Sequence, residues 1–174
     1  YIGAKVTKEK LTIKIIIDTD PGLDDAAAIM LALGSPELEI LGLTVVSGNV
    51  SLALATKNTR IICDLAGRLD VKIFAGAEKP LKGKQVTAEH AHGKTGLDGF
   101  DLFEPSIDLT TGYAPDFIVE TLLNEPPKTV TICPIGPLTN IALALQKEPN
   151  IANLVNKIVL MGGGCFTQGN ITPA

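Results

Sequence analysis

The chain has 174 residues and a net charge of −4, and 45% of its residues are hydrophobic. This composition is typical of one globular domain with its own core and excludes an intrinsically disordered chain. The lysines are scattered and the apolar runs are short, so the sequence predicts neither a nucleic-acid-binding patch nor a membrane span.

The first predicted element is a strand over residues 11–18, where β-branched residues end at an Asp-Pro-Gly turn. A helix is predicted over residues 24–33, and because it is apolar almost all round we expect it to be buried. A strand, a helix and a short strand follow, over residues 38–47, 51–66 and 71–76. Ser51 suits the N-cap of this second helix, and Gly67 suits its end.

Residues 77–112 interrupt this pattern, since they are rich in Gly, Pro, Lys and His and show little periodicity. A stretch of this length inside a compact domain is more often a functional loop than a linker, so we predict an active-site loop. Order returns with a helix, a strand, a helix and a strand, over residues 115–124, 128–136, 137–146 and 157–164.

The alternation of strands and helices predicts the fold class. The strands are apolar on both faces, which is typical of an α/β domain with an open, mostly parallel sheet and flanking helices. We therefore interpret residues 1–174 as a single α/β domain. In such sheets ligands bind outside the carboxyl ends of the strands, and these predicted ends carry acids, an asparagine and glycines.

Four carboxylates follow the first strand within eight residues: Asp18, Asp20, Asp24 and Asp25. Two carboxylates about 4 Å apart repel by roughly 4 kcal/mol at an effective dielectric of 20, so a cation, a shared proton or hydrogen-bond donors must offset the repulsion. Helix capping explains Asp24 and Asp25 but leaves Asp18 and Asp20 without a role. A cation-binding or catalytic role is therefore predicted for this acidic turn.

Three other polar residues and the cysteines are less informative. His90 and His92 are the only histidines, and they fit either a metal site or a solvated loop. Asn49 is as compatible with a turn as with a ligand site. The cysteines, Cys63, Cys133 and Cys165, match no zinc spacing and favour buried or half-buried thiols in a reducing compartment, so we expect a cytoplasmic protein.

Five motifs in a fixed order carry a resemblance to a known family. They are DTDPGLDD (18–25), SGN (47–49), HGKTGLDG (92–99), PIGPLTNIALAL (134–145), and MGGG followed by GNITPA (161–174). From Leu11 onward the chain resembles the inosine–uridine preferring nucleoside hydrolases. This resemblance implies a Rossmann-like nucleoside hydrolase fold and an N-ribosidase that uses tightly held Ca²⁺ to split a ribonucleoside into ribose and base.

The resemblance also implies roles for individual residues. Asp20, Asp25 and the backbone carbonyl of Ile135 would ligate Ca²⁺, and Asp20 would be the general base toward a calcium-bound water. The ribose or transition-state pocket would be lined by Asp24, Asn49, His92, Met161 and Asn170. Asp18 would orient the acids around it. Hard oxygen ligands suit Ca²⁺, and the reaction passes through an oxocarbenium-like state.

Members of this family are roughly twice as long and supply a further Asp ligand and often a His beyond the position of Ala174. We therefore expect an N-terminal portion of a longer chain, with the C-terminal part of the fold missing, that is inactive alone. The resemblance implies a homo-oligomer, a dimer or a tetramer, for the full-length form.

Two alternatives stay open at this stage. A strand followed by Asp-x-Asp also begins the haloacid-dehalogenase-like Mg²⁺ phosphatases, in which Asp18 would be the nucleophile, although Pro21–Gly22 and the second acid pair disfavour this class. The chain could instead be a non-catalytic fragment that binds a nucleoside or a partner through an exposed half-sheet.

Overall fold

The computed structural model describes residues 12–164 and residue 166. Its strands are β1 (Ile13–Thr19), β2 (Leu38–Val45), β3 (Ile73–Ala75), β4 (Val130–Pro134) and β5 (Lys157–Ile158). Its helices are α1 (Leu23–Gly34), α2 (Leu52–Leu65), α3 (Glu89–His92), α4 (Ala114–Asn124), α5 (Thr139–Lys147) and α6 (Ile151–Leu154). All strand pairs are parallel, and the order across the sheet is β3-β2-β1-β4-β5.

The isoleucine run of β1 is explained by its central position in the sheet. Successive side chains of a strand point to opposite faces, so a strand covered on both sides must be apolar throughout. Ile15 and Ile17 belong to one core layer with residues of α1 and α2. Ile16 belongs to the opposite layer with residues of α4 and α5. The sheet is therefore covered by helices on both faces.

The strand order places the switch point of the sheet between β1 and β4. From β1 the chain proceeds outward through β2 to β3, then returns to the other side of β1 and continues through β4 to β5. Asp18 pairs in register with Thr44 of β2 and with Pro134 of β4. Ligands of open α/β sheets bind at this kind of crevice, and the acidic turn leaves the sheet there.

The predicted parallel α/β sheet is confirmed, while some element boundaries differ. The expected burial of the first helix is wrong, because α1 buries only one face and leaves Met30 and Leu31 41% and 74% exposed. The strand predicted over residues 157–164 is assigned only at Lys157–Ile158, although hydrogen bonds to β4 continue from Val159 N to Ile132 O at 2.9 Å and from Met161 N to Pro134 O at 3.0 Å. The helices α3 and α6 were not predicted because four residues are too few to show a helical period.

The cysteines and helix ends agree with the sequence reading. Cys63 is buried and Cys133 is half-buried, while Cys165 lies outside the described residues. Ser51 caps α2 by accepting a hydrogen bond from Leu54 N at 3.4 Å, and Gly67 after its end has a φ of +65°. Within residues 12–164, no helix combines the length and apolar character needed to cross a membrane.

Residues 76–112 return across the carboxyl end of the sheet and are held by α2. Arg60 Nε donates to Ile107 O at 2.6 Å, and Asp64 Oδ2 accepts from Ser106 N at 2.6 Å. Asn58 Nδ2 donates to Thr95 O at 2.8 Å and to Pro21 O at 3.4 Å. Asn58 therefore links this long loop directly to the acidic turn.

Candidate functional site

Asp18 lies at the end of β1 and is completely buried. Its Oδ1 accepts hydrogen bonds from Thr44 Oγ1 at 2.5 Å and Asn140 Nδ2 at 2.8 Å. Its Oδ2 has no hydrogen-bond partner among the residues that the structure describes. Burial raises the pKa of Asp18 to about 7, against the lowering effect of these two donors. A carboxyl group enclosed in this way contacts protein groups and cannot reach a substrate.

Asp20 occupies a narrow space between two glycines that follow neighbouring strands. A Cβ on Gly136 would lie 2.5 Å from Asp20 Oδ1, and a Cβ on Gly48 would overlap Asp20 Oδ2. Asn49 fixes the same residue twice, because its N–H donates to Asp20 Oδ2 at 2.7 Å and its Nδ2 donates to Asp20 O at 3.0 Å. The carboxyl ends of β1, β2 and β4 thus jointly define the position of Asp20.

Asp25 is buried in the first turn of α1, and both of its oxygens accept hydrogen bonds. Thr19 Oγ1 donates to Oδ1 at 2.6 Å, and Gly22 N donates to Oδ2 at 3.3 Å. The bond from Gly22 caps the helix, so the capping function considered from the sequence is present. Each carboxylate oxygen can accept more than one bond, which leaves Asp25 able to ligate a cation as well.

The two carboxyl groups of Asp20 and Asp25 are costly to ionise where they lie. Burial raises the pKa of Asp20 to about 7, and the negative charge of Asp25 contributes to the rise. Burial also raises the pKa of Asp25, while its bonds from Thr19 and Gly22 lower it. A cation between such groups would favour their charged forms and offset the repulsion.

Asp24 and His92 form a second pair at the mouth of the site. Asp24 is exposed in the first turn of α1, and its Oδ1 lies 3.9 Å from His92 Nε2. His92 Nδ1 accepts from Leu23 N at 3.4 Å, which leaves Nε2 to carry the proton that faces Asp24. A Cβ on Gly22 would lie 2.6 Å from His92 Nδ1, so glycine allows the close approach of the loop.

A small cavity of about 110 Å³ joins four of the predicted site residues. Its lining contains Ala28 together with the predicted residues Asp24, Asp25, Ile135 and Met161. Ile135 is held close to the acidic turn because its N–H donates to Asp18 O at 2.8 Å. The cavity therefore lies at the switch point, between the loop that follows β4 and the start of α1.

The donors at this site fit Ca²⁺ in kind. Asp20 and Asp25 supply carboxylate oxygens, Ile135 supplies a backbone carbonyl, and hard oxygens are the ligands that Ca²⁺ prefers. The two glycines beside Asp20 reserve space that a side chain would fill. Over residues 12–164 no group of three or more His, Cys, Asp or Glu is arranged to hold a metal ion, so the described chain supplies only part of a six- to eight-ligand shell.

The structure brings together most of the residues predicted from the sequence and separates others. Asp20, Asp25 and Asn49 are in one cluster, and Asp24 meets His92 beside it. Met161 reaches the cavity although 61% of it is exposed, and His90 is exposed on α3. Asn170 lies outside the described residues. The burial of Asp18 argues against the phosphatase alternative, which requires an accessible nucleophile.

Glycines were expected at the strand ends near the site, but neither their close contact with Asp20 nor the amide of Asn140 was predicted. Gly48 and Gly136 sit inside the SGN and PIG motifs, and their position directly after strands was an available signal for close packing. Asn140 gave no such signal, because an asparagine in the first turn of a helix is ordinary. Only the strand order shows that it lies beside Asp18.

Comparison with known proteins agrees with this geometry. Residues 15–174 match the family model described as inosine-uridine preferring nucleoside hydrolase. The chain is 52% identical over 161 residues to an uncharacterized protein of Schizosaccharomyces pombe, and the match covers 92% of this chain and 52% of that protein. It is 48% identical over 162 residues to uridine nucleosidase 1 of Arabidopsis thaliana, covering 92% of this chain and 48% of that one.

A solved structure shows the same arrangement of elements. The plant nucleoside hydrolase PpNRh1 superimposes with a TM-score of 0.87 at 39% sequence identity, over 93% of this chain and 51% of that chain. The chain thus spans about half the length of the curated relatives it matches.

Proposed function

Because the chain belongs to the inosine-uridine preferring nucleoside hydrolase family, we propose that its acidic turn serves the hydrolysis of ribonucleosides to ribose and free base. The observation that carries the proposal is the pair of buried carboxyl groups, Asp20 and Asp25, at the switch point of the sheet. Beside them lie the exposed Asp24 and the half-buried His92. Uridine is the first substrate to test, since a relative with 48% identity is named a uridine nucleosidase.

Asp20, Asp25 and the carbonyl of Ile135 are the residues that would hold Ca²⁺. When bound, Ca²⁺ would supply the positive charge that keeps both carboxylates ionised and a coordination shell large enough to admit water and sugar hydroxyls. The remaining ligands would come from groups beyond these three residues. The buried position of the acids supports this assignment, because without a cation their charged forms are disfavoured.

Asp20 is the proposed general base. Its Oδ2 is fixed by the N–H of Asn49, and its Oδ1 faces Gly136 at the open end of the sheet. A carboxylate held in this way can accept the proton of the attacking water as that water adds to the anomeric carbon. As the C–N bond breaks, positive charge develops transiently on the ribose ring in the transition state, where the nearby acids stabilise it, and the departing base takes the bond electrons and a proton from solvent or from another acid.

Asp24 and His92 are proposed to bind the sugar. Asp24 is accessible and can accept hydrogen bonds from ribose hydroxyls, while His92 can donate through Nε2. Asn49, whose side chain holds the backbone of Asp20, is proposed to act mainly through that residue. Met161 supplies apolar surface to the cavity wall.

The test combines binding with product analysis. Ca²⁺ affinity of the purified protein is measured by calorimetry, and ribose release from uridine and inosine is measured as reducing sugar with Ca²⁺ or with a chelator. Asp20→Asn is expected to weaken Ca²⁺ binding at least tenfold and to lower any ribose release by about 10² or more. Asp116→Asn, which removes an exposed carboxylate paired with Lys147, is the matched control and should change neither.

The results distinguish a Ca²⁺-dependent hydrolase from a module that only binds a nucleoside. Absence of Ca²⁺ binding at millimolar concentration would overturn the cation assignment. The second candidate is a nucleoside-binding module. Release of ribose that depends on both Ca²⁺ and Asp20 would exclude it, whereas binding without release is the result expected of this module and equally of a chain that spans about half the length of its relatives.

A further inference from the structure

The side chain of Asn140 joins the carboxyl ends of three strands from the first turn of α5. Its Nδ2 donates to Asp18 Oδ1 at 2.8 Å and to Val45 O at 3.1 Å. Its Oδ1 accepts from Ala77 N, just after β3, at 2.9 Å. Asn140 is 0% exposed, and both N–H groups and the oxygen of its carboxamide are thus used within the core.

The carboxamide of Asn140 lies close against the backbone of Gly76. A Cβ on Gly76 would overlap the Oδ1 atom of Asn140 and lie 2.5 Å from its Nδ2. The side chain therefore has no room to swing away from its three partners. A longer amide would not fit, and a shorter side chain would leave buried donors and acceptors without partners.

Asn140 also connects the two parts of the candidate cation site, which are the acidic turn and the segment between β4 and α5. Asp18 is bonded through its side chain to Asn140, and its backbone O accepts from Ile135 N at 2.8 Å and Gly136 N at 3.3 Å. The segment from β4 to α5 is thus attached to Asp18 at both of its ends. Ile135 carries the proposed carbonyl ligand, and Asp20 follows Asp18 by two residues.

We propose that Asn140 is a positioning residue, which sets the distance between the acidic turn and the Ile135 carbonyl through the completely buried contact of its carboxamide with Asp18. This inference rests on the proposed function for the identity of the cation, Ca²⁺. It extends that function to a residue that makes no contact with the cation or the sugar. Its role is to hold two strand ends in register rather than to donate a ligand.

Two substitutions test this role, with a control from the next position of the same helix. Asn140→Ser and Asn140→Ala remove the three bonds to different extents while α5 can still form. Ile141→Ala removes a buried side chain of the core layer that contains Ile16 and residues of α4, and no residue of the acidic turn belongs to that layer. All three variants are expected to lower the thermal midpoint, so stability alone does not discriminate.

The discriminating measurement is Ca²⁺ affinity by calorimetry at a temperature where circular dichroism shows each protein folded. Both Asn140 variants are expected to bind Ca²⁺ at least tenfold more weakly than the unmodified chain, and Ile141→Ala within twofold of it. Affinities of the Asn140 variants within twofold of the unmodified chain would overturn the proposal. An equal loss in Ile141→Ala would overturn it as well, since it would show a purely structural effect.

Amide hydrogen exchange gives a readout that does not depend on the cation. The amides of Ile135 and Gly136 donate to Asp18 O. We expect them to exchange at least tenfold faster in Asn140→Ser and at an unchanged rate in Ile141→Ala. Unchanged exchange in Asn140→Ser would overturn the proposal. If the unmodified chain binds no Ca²⁺, the proposed function fails and these exchange rates still decide the role of Asn140.

Gly76→Ala, which displaces the carboxamide instead of removing it, provides the comparison if the Asn140 variants do not fold.

Discussion

Glycines determine how the carboxyl groups of the acidic turn can be arranged. Asp20 reaches its position because Gly48 and Gly136 carry no side chains, and His92 approaches α1 because Gly22 carries none. None of these three glycines has a φ in the left-handed region, so what the site requires of them is space rather than an unusual backbone conformation. The acids and the glycines together therefore form the functional unit of the turn.

Gly48→Ala is predicted to disrupt the Asp20 carboxylate directly. The added methyl group would overlap Oδ2, the atom that accepts from Asn49 N, so the side chain or the strand end must move. We expect Ca²⁺ binding to weaken at least tenfold by calorimetry. Gly34→Ala is the matched control, because its new Cβ would meet no atom within 4 Å outside its own helix backbone and its chain neighbours, and it should leave the affinity unchanged.

The buried acid Asp18 predicts a pH-dependent stability. Its pKa is about 7 in the folded chain, against an ordinary value of 3.8, so the folded state retains a proton that the unfolded state has lost. Through Asp18 alone, the free energy of unfolding therefore falls by on the order of 4 kcal/mol as the pH rises from about 4 to about 7, and the raised pKa values of Asp20 and Asp25 act in the same direction.

Asp18→Asn should remove most of this contribution, since a neutral amide can accept from the same two donors. Urea unfolding at pH 5 and pH 8 with a chelator present measures the difference. A pH dependence identical to that of the unmodified chain would contradict the assignment to Asp18, and Asp116→Asn serves as the exposed control.

The clustering of the acids was more predictable than the contacts of their neighbours. Four carboxylates in eight residues are visible in any reading of the sequence, and their cost in an apolar setting follows from elementary electrostatics. The carboxamide of Asn140 acts on Asp18 from 122 positions away, and no local pattern reports such a contact. Its function depends on which strand lies next to β1.

At the level of elements, α2 organises the long loop. Three of its polar side chains, Asn58, Arg60 and Asp64, bond to backbone groups of residues 95–107. The sequence predicted a functional loop from its length and composition but gave no indication of these anchors. They face the loop only because α2 packs beneath it, which depends on tertiary structure rather than on helical periodicity.

Asn58→Leu is predicted to loosen the loop at its contact with the acidic turn. The substitution preserves volume approximately but leaves the carbonyls of Thr95 and Pro21 without their donor, at a cost of about 1 to 3 kcal/mol. Limited proteolysis within residues 89–99 should accelerate roughly tenfold, since 1.4 kcal/mol changes an opening equilibrium by that factor.

Thr59→Val provides the control for this experiment. Thr59 is equally buried in α2, but its hydroxyl donates to Ala55 O within the same helix. Its substitution should not change the rate of cleavage in the loop. Equal acceleration in both variants would show that the loop responds to general destabilisation of α2.

The alternation of strands and helices was predictable from the sequence, whereas the order of the strands was not. Periodicity and turn residues identify β1 and β4 separately, because both depend on local composition. After β3 the strand order reverses, because the chain returns to the other side of β1 and adds β4 there. This reversal depends on packing among distant segments. The site lies at this reversal, so its complete geometry required the structure.

At the level of the whole molecule, β5 forms one edge of the described sheet. After β5 the backbone continues beside β4. Four apolar residues here are between 39% and 61% exposed: Ile158 (39%), Val159 (57%), Leu160 (48%) and Met161 (61%). An apolar strand edge of this kind favours pairing with another chain.

Val159→Lys is predicted to reduce self-association of the purified chain. A charged side chain at an edge strand opposes pairing with a second edge. Light scattering coupled to gel filtration, over a range of protein concentrations, should show a smaller proportion of oligomer than in the unmodified chain. Leu123→Lys, at a similarly exposed position on α4, should have no such effect, and an equal reduction would indicate nonspecific solubilisation.

The separation of β1 from β4 along the chain has a consequence for synthesis. Asp18 meets Asn140 only after 122 further residues have been made, which takes about 6 to 24 s at roughly 5 to 20 residues per second. During this interval the isoleucine-rich β1 can pair with β2 on one side, while the edge that later pairs with β4 remains unpaired. The nascent polypeptide is therefore expected to expose one unpaired edge of this isoleucine-rich strand on the ribosome, and chaperone capture is expected to matter most before β4 emerges.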